Sequence, residues 1–164
     1  SIPWTEKHWK SIKYAYSRAP YFEDYRDIFE EIYSKKWELL ADLDIYLIKV
    51  MAELLEVNIP HFVRSSELRV EGKKTDKLIN ILLKIGADEY ISGPAAKAYI
   101  EPEKFKRHGI VLYWHEYKHP TYPQLHGDFL PYMSAIDLLF NMGEKSYSII
   151  KEGQKNALVK DPRV

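Results

Sequence analysis

The chain has 164 residues, enough for one domain with a substantial core. Lys plus Arg and Asp plus Glu both number 24, so no net field recruits nucleic acid or an anionic membrane. With no cysteine, disulfides, thiolate nucleophiles and sulfur-ligated zinc are excluded, which suits a cytoplasmic address. No apolar run approaches the ~20 residues of a membrane span, and the start lacks the basic and apolar regions of a signal peptide. The thirteen tyrosines and four tryptophans often stand beside charged residues. Such side chains suit stacking on a sugar or base, and equally suit the wet edge of a core. The chain opens at Ser1 rather than methionine, which predicts a fragment or a processed product.

Residues 1–57 predict helices. Ile12, Ala15, Tyr16 and Ala19, then Tyr25, Ile28, Phe29, Ile32 and Tyr33, recur at three- and four-residue spacing, with Pro20 between the two sets. A third helix is expected from Asp42 or Asp44, either of which could cap it. Its face would carry Ile45, Leu47, Ile48, Met51, Leu54 and Leu55, and it would end near Pro60. His8, between lysines, reads as an anion contact or as an ordinary surface histidine.

From residue 61 the pattern becomes strand, helix, strand, helix, strand. Phe62-Val63 reads as a first strand. A helix follows with the face Leu78, Ile81, Leu82 and Ile85, with Thr75 as its expected N-cap and Gly86 as its stop. Glu89-Tyr90-Ile91 reads as a second strand, followed by short helices opened by Pro94 and Pro102, and the third strand begins at Ile110. The predicted fold class is α/β: a helical N-terminal third, then a Rossmann-like parallel sheet, then C-terminal helices. Those last helices are a Ser134-capped one with Ile136, Leu139 and Phe140, stopped at Gly143, and another near 145–151. One α/β domain is expected over residues 1–153, with 154–164 as a loose tail.

Tyr113 to Gln124 is the stretch densest in chemistry, with two histidines, a glutamate, a lysine and four aromatic residues in twelve positions. In an open α/β sheet, ligands bind beyond the carboxyl ends of the strands. All three expected strands end in polar residues there: Ser65-Ser66, Ser92-Gly93 and His115 onward. Ser92-Gly93 and Lys74-Thr75 each open a helix, where free backbone N–H groups favour an anion. The predicted site has Ser65, Ser66, Lys74, Thr75, Ser92 and Gly93 on an anionic substrate. Trp114 or Tyr122 stacks on a ring, and His115 or His119 is acid or base with Gln124 orienting the substrate. No cofactor and no metal is expected. His115, His119 and His126 could meet at a metal, which leaves a histidine metalloenzyme as one alternative; a non-catalytic interaction module is another. Gly72-Lys73-Lys74-Thr75 is not a P-loop, because Glu67 stands where the first glycine is required, and no dinucleotide fingerprint or nucleophile elbow occurs.

A set of short motifs resembles the WbqC-like family over residues 4–150. It comprises Lys7-His8 with Ile12, Tyr16 and Ala19-Pro20-Tyr21-Phe22; Ser65-Ser66 with Leu68; and Lys74-Thr75 with Leu78. Further along come Gly86-Ala87, Tyr90-Ile91-Ser92-Gly93 and Tyr99, then His119-Pro120 with Tyr122, Gln124, Phe129 and Ser134, and finally Asp137 to Gly143. The resemblance implies a bacterial protein that makes or decorates an activated sugar for surface polysaccharide, by acyl or aminoacyl transfer to an amino sugar. The implied partner is a small anionic substrate such as a nucleotide sugar; neither nucleic acid nor membrane is expected, and the oligomeric state is left open. Members usually begin with a further segment carrying a Gln-Pro-x-Tyr-Leu-Pro-Trp type motif and two early strands. That departure predicts an incomplete copy.

Overall fold

The computed structural model describes residues 3–164, so the first two residues of the stretch expected to be helical lie outside it. The chain comprises two compact units. One is formed by residues 1–59 and 119–152, the other by 60–118 and 153–164.

The first unit is helical. Helix α1 (Trp4–Tyr16) and α2 (Phe22–Ser34) follow the predicted periodicity, and Pro20 lies in the turn between them. Helix α3 (Leu40–Leu54) begins earlier than expected. Leu39 holds the cap position without a side-chain bond, and Asp42 falls inside the first turn, where its charge still complements the free amides. Most of the expected face of α3 packs on the core, with Leu55 buried and Leu47, Met51 and Leu54 partly so; Leu43 is buried as well, whereas Ile48 is half exposed. Helix α6 (Ala135–Met142) has the predicted cap, with Ile136 N–H donating to Ser134 Oγ at 3.5 Å, and it ends at Gly143. A 3₁₀ turn (Gly143–Lys145) leads into α7 (Ser146–Gly153). The core joins Phe140, fully buried, to Tyr16, Phe22 and Phe29 at ring-centroid distances of 5.1–5.4 Å. Trp9 stacks on Phe22 and Tyr33 and donates its indole N–H to Glu30 at 2.8 Å.

The second unit is α/β. Helix α4 (Lys74–Ile85) ends on Gly86 in the left-handed region, φ 71°, whose N–H reaches the Leu82 and Leu83 carbonyls. Strand β1 (Glu89–Ser92) connects through a 3₁₀ turn (Pro94–Ala98) and helix α5 (Pro102–Arg107) to strand β2 (Val111–His115). The two strands pair in parallel with Glu89 opposite Val111 and Ser92 opposite Trp114. Leu112 and Trp114 point into a core with Ile79, Leu82, Phe105 and Ile110. Two expectations fail here. Phe62-Val63 forms no strand: two apolar residues between Pro60 and Arg64 are too few to bury one face of a ladder, and both are exposed. The third strand is instead β3 (Leu158–Lys160), in the stretch expected to be loose. It pairs antiparallel to β2, with Trp114 opposite Val159, so the sheet is mixed rather than wholly parallel. Asp161 fixes it: the buried carboxylate accepts from Trp114 Nε1 at 2.8 Å and from the Arg163 guanidinium at 2.8 and 2.9 Å. The Arg163 hydrogen bonds, aided by those from its backbone and from Trp114, hold the Asp161 carboxyl well below the usual carboxylate range against the opposing pull of burial. Among the described residues no helix is long and apolar enough to cross a membrane.

Candidate functional site

The first unit holds a buried carboxylate. Ser134 starts α6 so that Asp137 falls in its first turn, 4% exposed, in a helix otherwise composed mainly of apolar residues. Burying a carboxylate costs several kcal/mol unless donors replace its water. Three side chains do so: Tyr122 Oη–H donates to Oδ2 at 2.7 Å and Gln124 Nε2 at 2.9 Å, and Asn141 Nδ2 reaches Oδ1 at 3.4 Å. The Tyr16 hydroxyl lies near the same carboxylate. Burial first, and then the hydrogen bond to Asp137 and its charge, raise the Tyr16 hydroxyl well above the usual tyrosine range, so it stays a donor. With its acceptor positions occupied in this way, Asp137 orients its neighbours rather than serving as a free base.

A cavity of 170 Å³ lies against this network. Its polar lining is Tyr16, Gln124, His126 and Asp137; its apolar lining is Ala15, Leu125, Leu130 and Met133. Gln124 also ties down the loop that supplies Leu130 and Met133, through bonds to both backbone groups of Leu130. His126 Nε2 lies 3.0 Å from the Ala15 carbonyl oxygen. A carbonyl only accepts, so Nε2 carries the hydrogen, and in the neutral ring Nδ1 keeps its lone pair. The acceptor exists because α1 stops at Tyr16: the carbonyls of a helix's last turn lack intrahelical partners. An imidazole with a fixed tautomer at the edge of a small cavity is equipped to accept a proton.

The residues expected at the site fall in both units. In the first, Tyr122 and Gln124 belong to the Asp137 network, and Tyr122 meets Phe129 edge-on with ring centroids 5.2 Å apart. His119 is exposed and lies edge-on to Tyr132, 4.7 Å between centroids, outside the cavity lining. In the second unit, the ends of β1 and β2 stand side by side through the Ser92–Trp114 pairing. Ser92 and Trp114 are both buried, the latter with its indole N–H on Asp161, and Lys97 Nζ sits 5.5 Å from the Trp114 ring. His115 is half-buried and lines an open hollow with Ile91, Gln154 and Leu158. Gly93 precedes the 3₁₀ turn. Thr75 does not cap α4; Lys73 holds that position, and the buried Thr75 hydroxyl accepts from the Glu101 N–H at 3.3 Å. Lys74, Ser65 and Ser66 are exposed, the serines in a turn with no strand before it.

Sequence reasoning missed the roles of Tyr16, Asp137 and Asn141 and the cavity position of His126. The available signal was Asp137 itself, the one charge in the apolar segment Ala135–Met142, with Asn141 one turn later. Among the described residues, no three His, Asp or Glu side chains are grouped to hold a metal.

The chain is 30% identical over 145 residues to an uncharacterized protein of Mycobacterium tuberculosis, Rv1507c. The alignment covers 87% of this chain and 62% of that protein, so the chain spans less than two thirds of the relative's length. No solved structure matches. The family model described as the WbqC-like protein family matches residues 1–149, and with that span, which contains every residue of the Asp137 network and the cavity, the chain belongs to the WbqC-like protein family.

Proposed function

We propose that this protein is a cytoplasmic transferase of surface-polysaccharide or nucleotide-sugar biosynthesis, moving an acyl or aminoacyl group onto the amine of an activated amino sugar. The observation that carries this reading is His126, its tautomer set by the Ala15 carbonyl, at the edge of a cavity whose floor is the Asp137 network. In the transfer, the amine lone pair attacks the donor's carbonyl carbon and forms the N–C bond, while the carbonyl electrons move to oxygen. As they return, the bond to the carrier breaks and the carrier leaves with that electron pair. His126 Nδ1 takes the proton the nitrogen loses and passes it to the carrier. Gln124 and Tyr16, held by Asp137, position the reacting groups.

Considered on its own, the second unit supports recognition of the anionic nucleotide of the acceptor sugar. Lys74, Ser65 and Ser66 are exposed, Gly93 offers its backbone at the turn after β1, and His115 borders an open hollow. Lys74→Ala is expected to weaken binding of a nucleotide sugar by calorimetry; unchanged affinity removes this part of the reading.

The transferase reading is tested by incubating a panel of nucleotide-linked amino sugars with acyl and aminoacyl thioesters and detecting the amide product by mass spectrometry. His126→Gln keeps a donor for the Ala15 carbonyl and lacks the base, so turnover is expected to fall by roughly 10²-fold or more with the fold intact. Parent-like turnover in that variant would refute the role of His126.

A further inference from the structure

The lining of the cavity in the first unit bears on which kind of donor fits. Its volume, 170 Å³, corresponds to roughly five or six groups the size of water at ~30 Å³ each. Neither lysine nor arginine lines it, so no permanent positive charge neutralises a phosphate or carboxylate placed inside. The one anion in its lining is Asp137, and that carboxylate is 4% exposed and already accepts from Tyr122, Gln124 and Asn141. An entering ammonium group would have to displace those donors, each of which would then be left unpaired in a buried setting. Besides the His126 imidazole at its edge, what remains for a ligand is apolar contact with Ala15, Leu125, Leu130 and Met133. Contact of that kind rewards each added methylene up to the limit of the space.

Resting on the transferase reading above, we propose that this cavity takes the hydrocarbon chain of a short, uncharged acyl group of about four carbons, and that aminoacyl groups bearing a free ammonium are excluded. The donor class is therefore a simple acyl donor. Chain length is limited by Leu130 and Met133, whose loop Gln124 holds in place.

A matched pair of probes tests this directly: butyramide and 2-aminobutyramide, which differ only in the ammonium group. In a titration of the whole chain followed by methyl NMR, butyramide is expected to give saturable shifts at the Met133 and Leu130 methyls. 2-Aminobutyramide is expected to bind at least tenfold more weakly. Ala15→Leu fills the cavity while keeping the main-chain carbonyl, and Leu130→Phe does so from the loop; each is expected to abolish the butyramide shifts with helical circular dichroism unchanged. Equal or tighter binding of 2-aminobutyramide overturns the proposal, as does the absence of saturable shifts with either probe. The two readings fail separately. If the parent transfers aminoacyl groups and His126→Gln does not, the transferase reading stands and this one falls.

Discussion

The side-chain amide of Gln124 pairs with both backbone groups of Leu130: the Leu130 N–H donates to Oε1 at 2.8 Å, and Nε2 donates to the Leu130 carbonyl at 3.0 Å. Nε2 also reaches Asp137 Oδ2 at 2.9 Å. One side chain therefore ties the cavity loop to the buried carboxylate. Gln124→Ala is expected to lower stability by about 1–3 kcal/mol in urea unfolding, and to speed amide exchange at Leu130. Gln124→Glu sets a second carboxylate beside Asp137. It is expected to be worse than alanine at neutral pH and to recover as the pH falls toward the range where carboxylates protonate.

Asp137→Asn replaces an acceptor with a group that also donates, facing the donors Tyr122 and Gln124. A loss of about 2–4 kcal/mol is expected, exceeding that of Tyr122→Phe, which removes a single bond to the carboxylate. Paired urea melts of the two variants give the comparison.

Tyr16 supplies a pH dependence at the alkaline end. Its hydroxyl is raised in the folded state, chiefly by burial, so the folded protein holds that proton more tightly than the unfolded chain. The associated stability is complete below the unfolded value, about 10, and is lost as the pH rises beyond it. Tyr16→Phe is expected to flatten the alkaline limb of the stability profile, read by circular dichroism melts from pH 8 to 11.

At the acid end the group is Asp161, whose carboxyl is depressed by Arg163. Its contribution is complete above the unfolded value, about 3.9, and is lost as the pH falls from there toward the folded one. The stability gap between the parent and Asp161→Asn is expected to be constant from pH 7 to 5 and to narrow below about pH 4. A gap that does not change with pH would show that Arg163 does not set the charge of Asp161.

Gly143 ends α6 at φ 54°, ψ −130°, a region that only glycine enters freely. A Cβ there would stand 2.6 Å from Tyr21 Cε1. Gly143→Ala is expected to cost about 3 kcal/mol or more in a thermal or urea melt, and Tyr21→Ala to recover only the steric part, because the backbone strain persists.

Much of the fold was legible where the signal is local. The periodicity of Ile12 to Tyr33, the Ser134 cap, the Gly86 and Gly143 stops, and the parallel pair at 89–92 and 111–115 all follow from neighbours in sequence. What escaped depends on distant partners. Leu158–Lys160 is too short to announce a strand and becomes one through Trp114, 47 residues from Asp161. The start of α4 falls at Lys73 rather than Thr75, whose hydroxyl accepts from the Glu101 N–H, 26 residues away. His126 and Ala15, 111 residues apart, cannot be joined by any spacing rule. The sequence marks Tyr122 and Gln124 as functional, but the carboxylate that organises them sits in a helix whose apolar pattern reads as core.

The partner that sets the His126 ring is a main-chain oxygen, and this changes how the arrangement can be lost. Exchanging the side chain at position 15 leaves the oxygen where it is, so a scan of single substitutions there would register cavity shape and nothing of proton placement. The vulnerable quantity is the length of α1: one more helical turn would consume the Ala15 carbonyl in an ordinary i to i+4 bond and free the ring to choose either tautomer. Insertions between Tyr16 and Pro20 are therefore the lesions to which the imidazole is exposed, a form of inheritance in which chemistry is stored in where a helix stops.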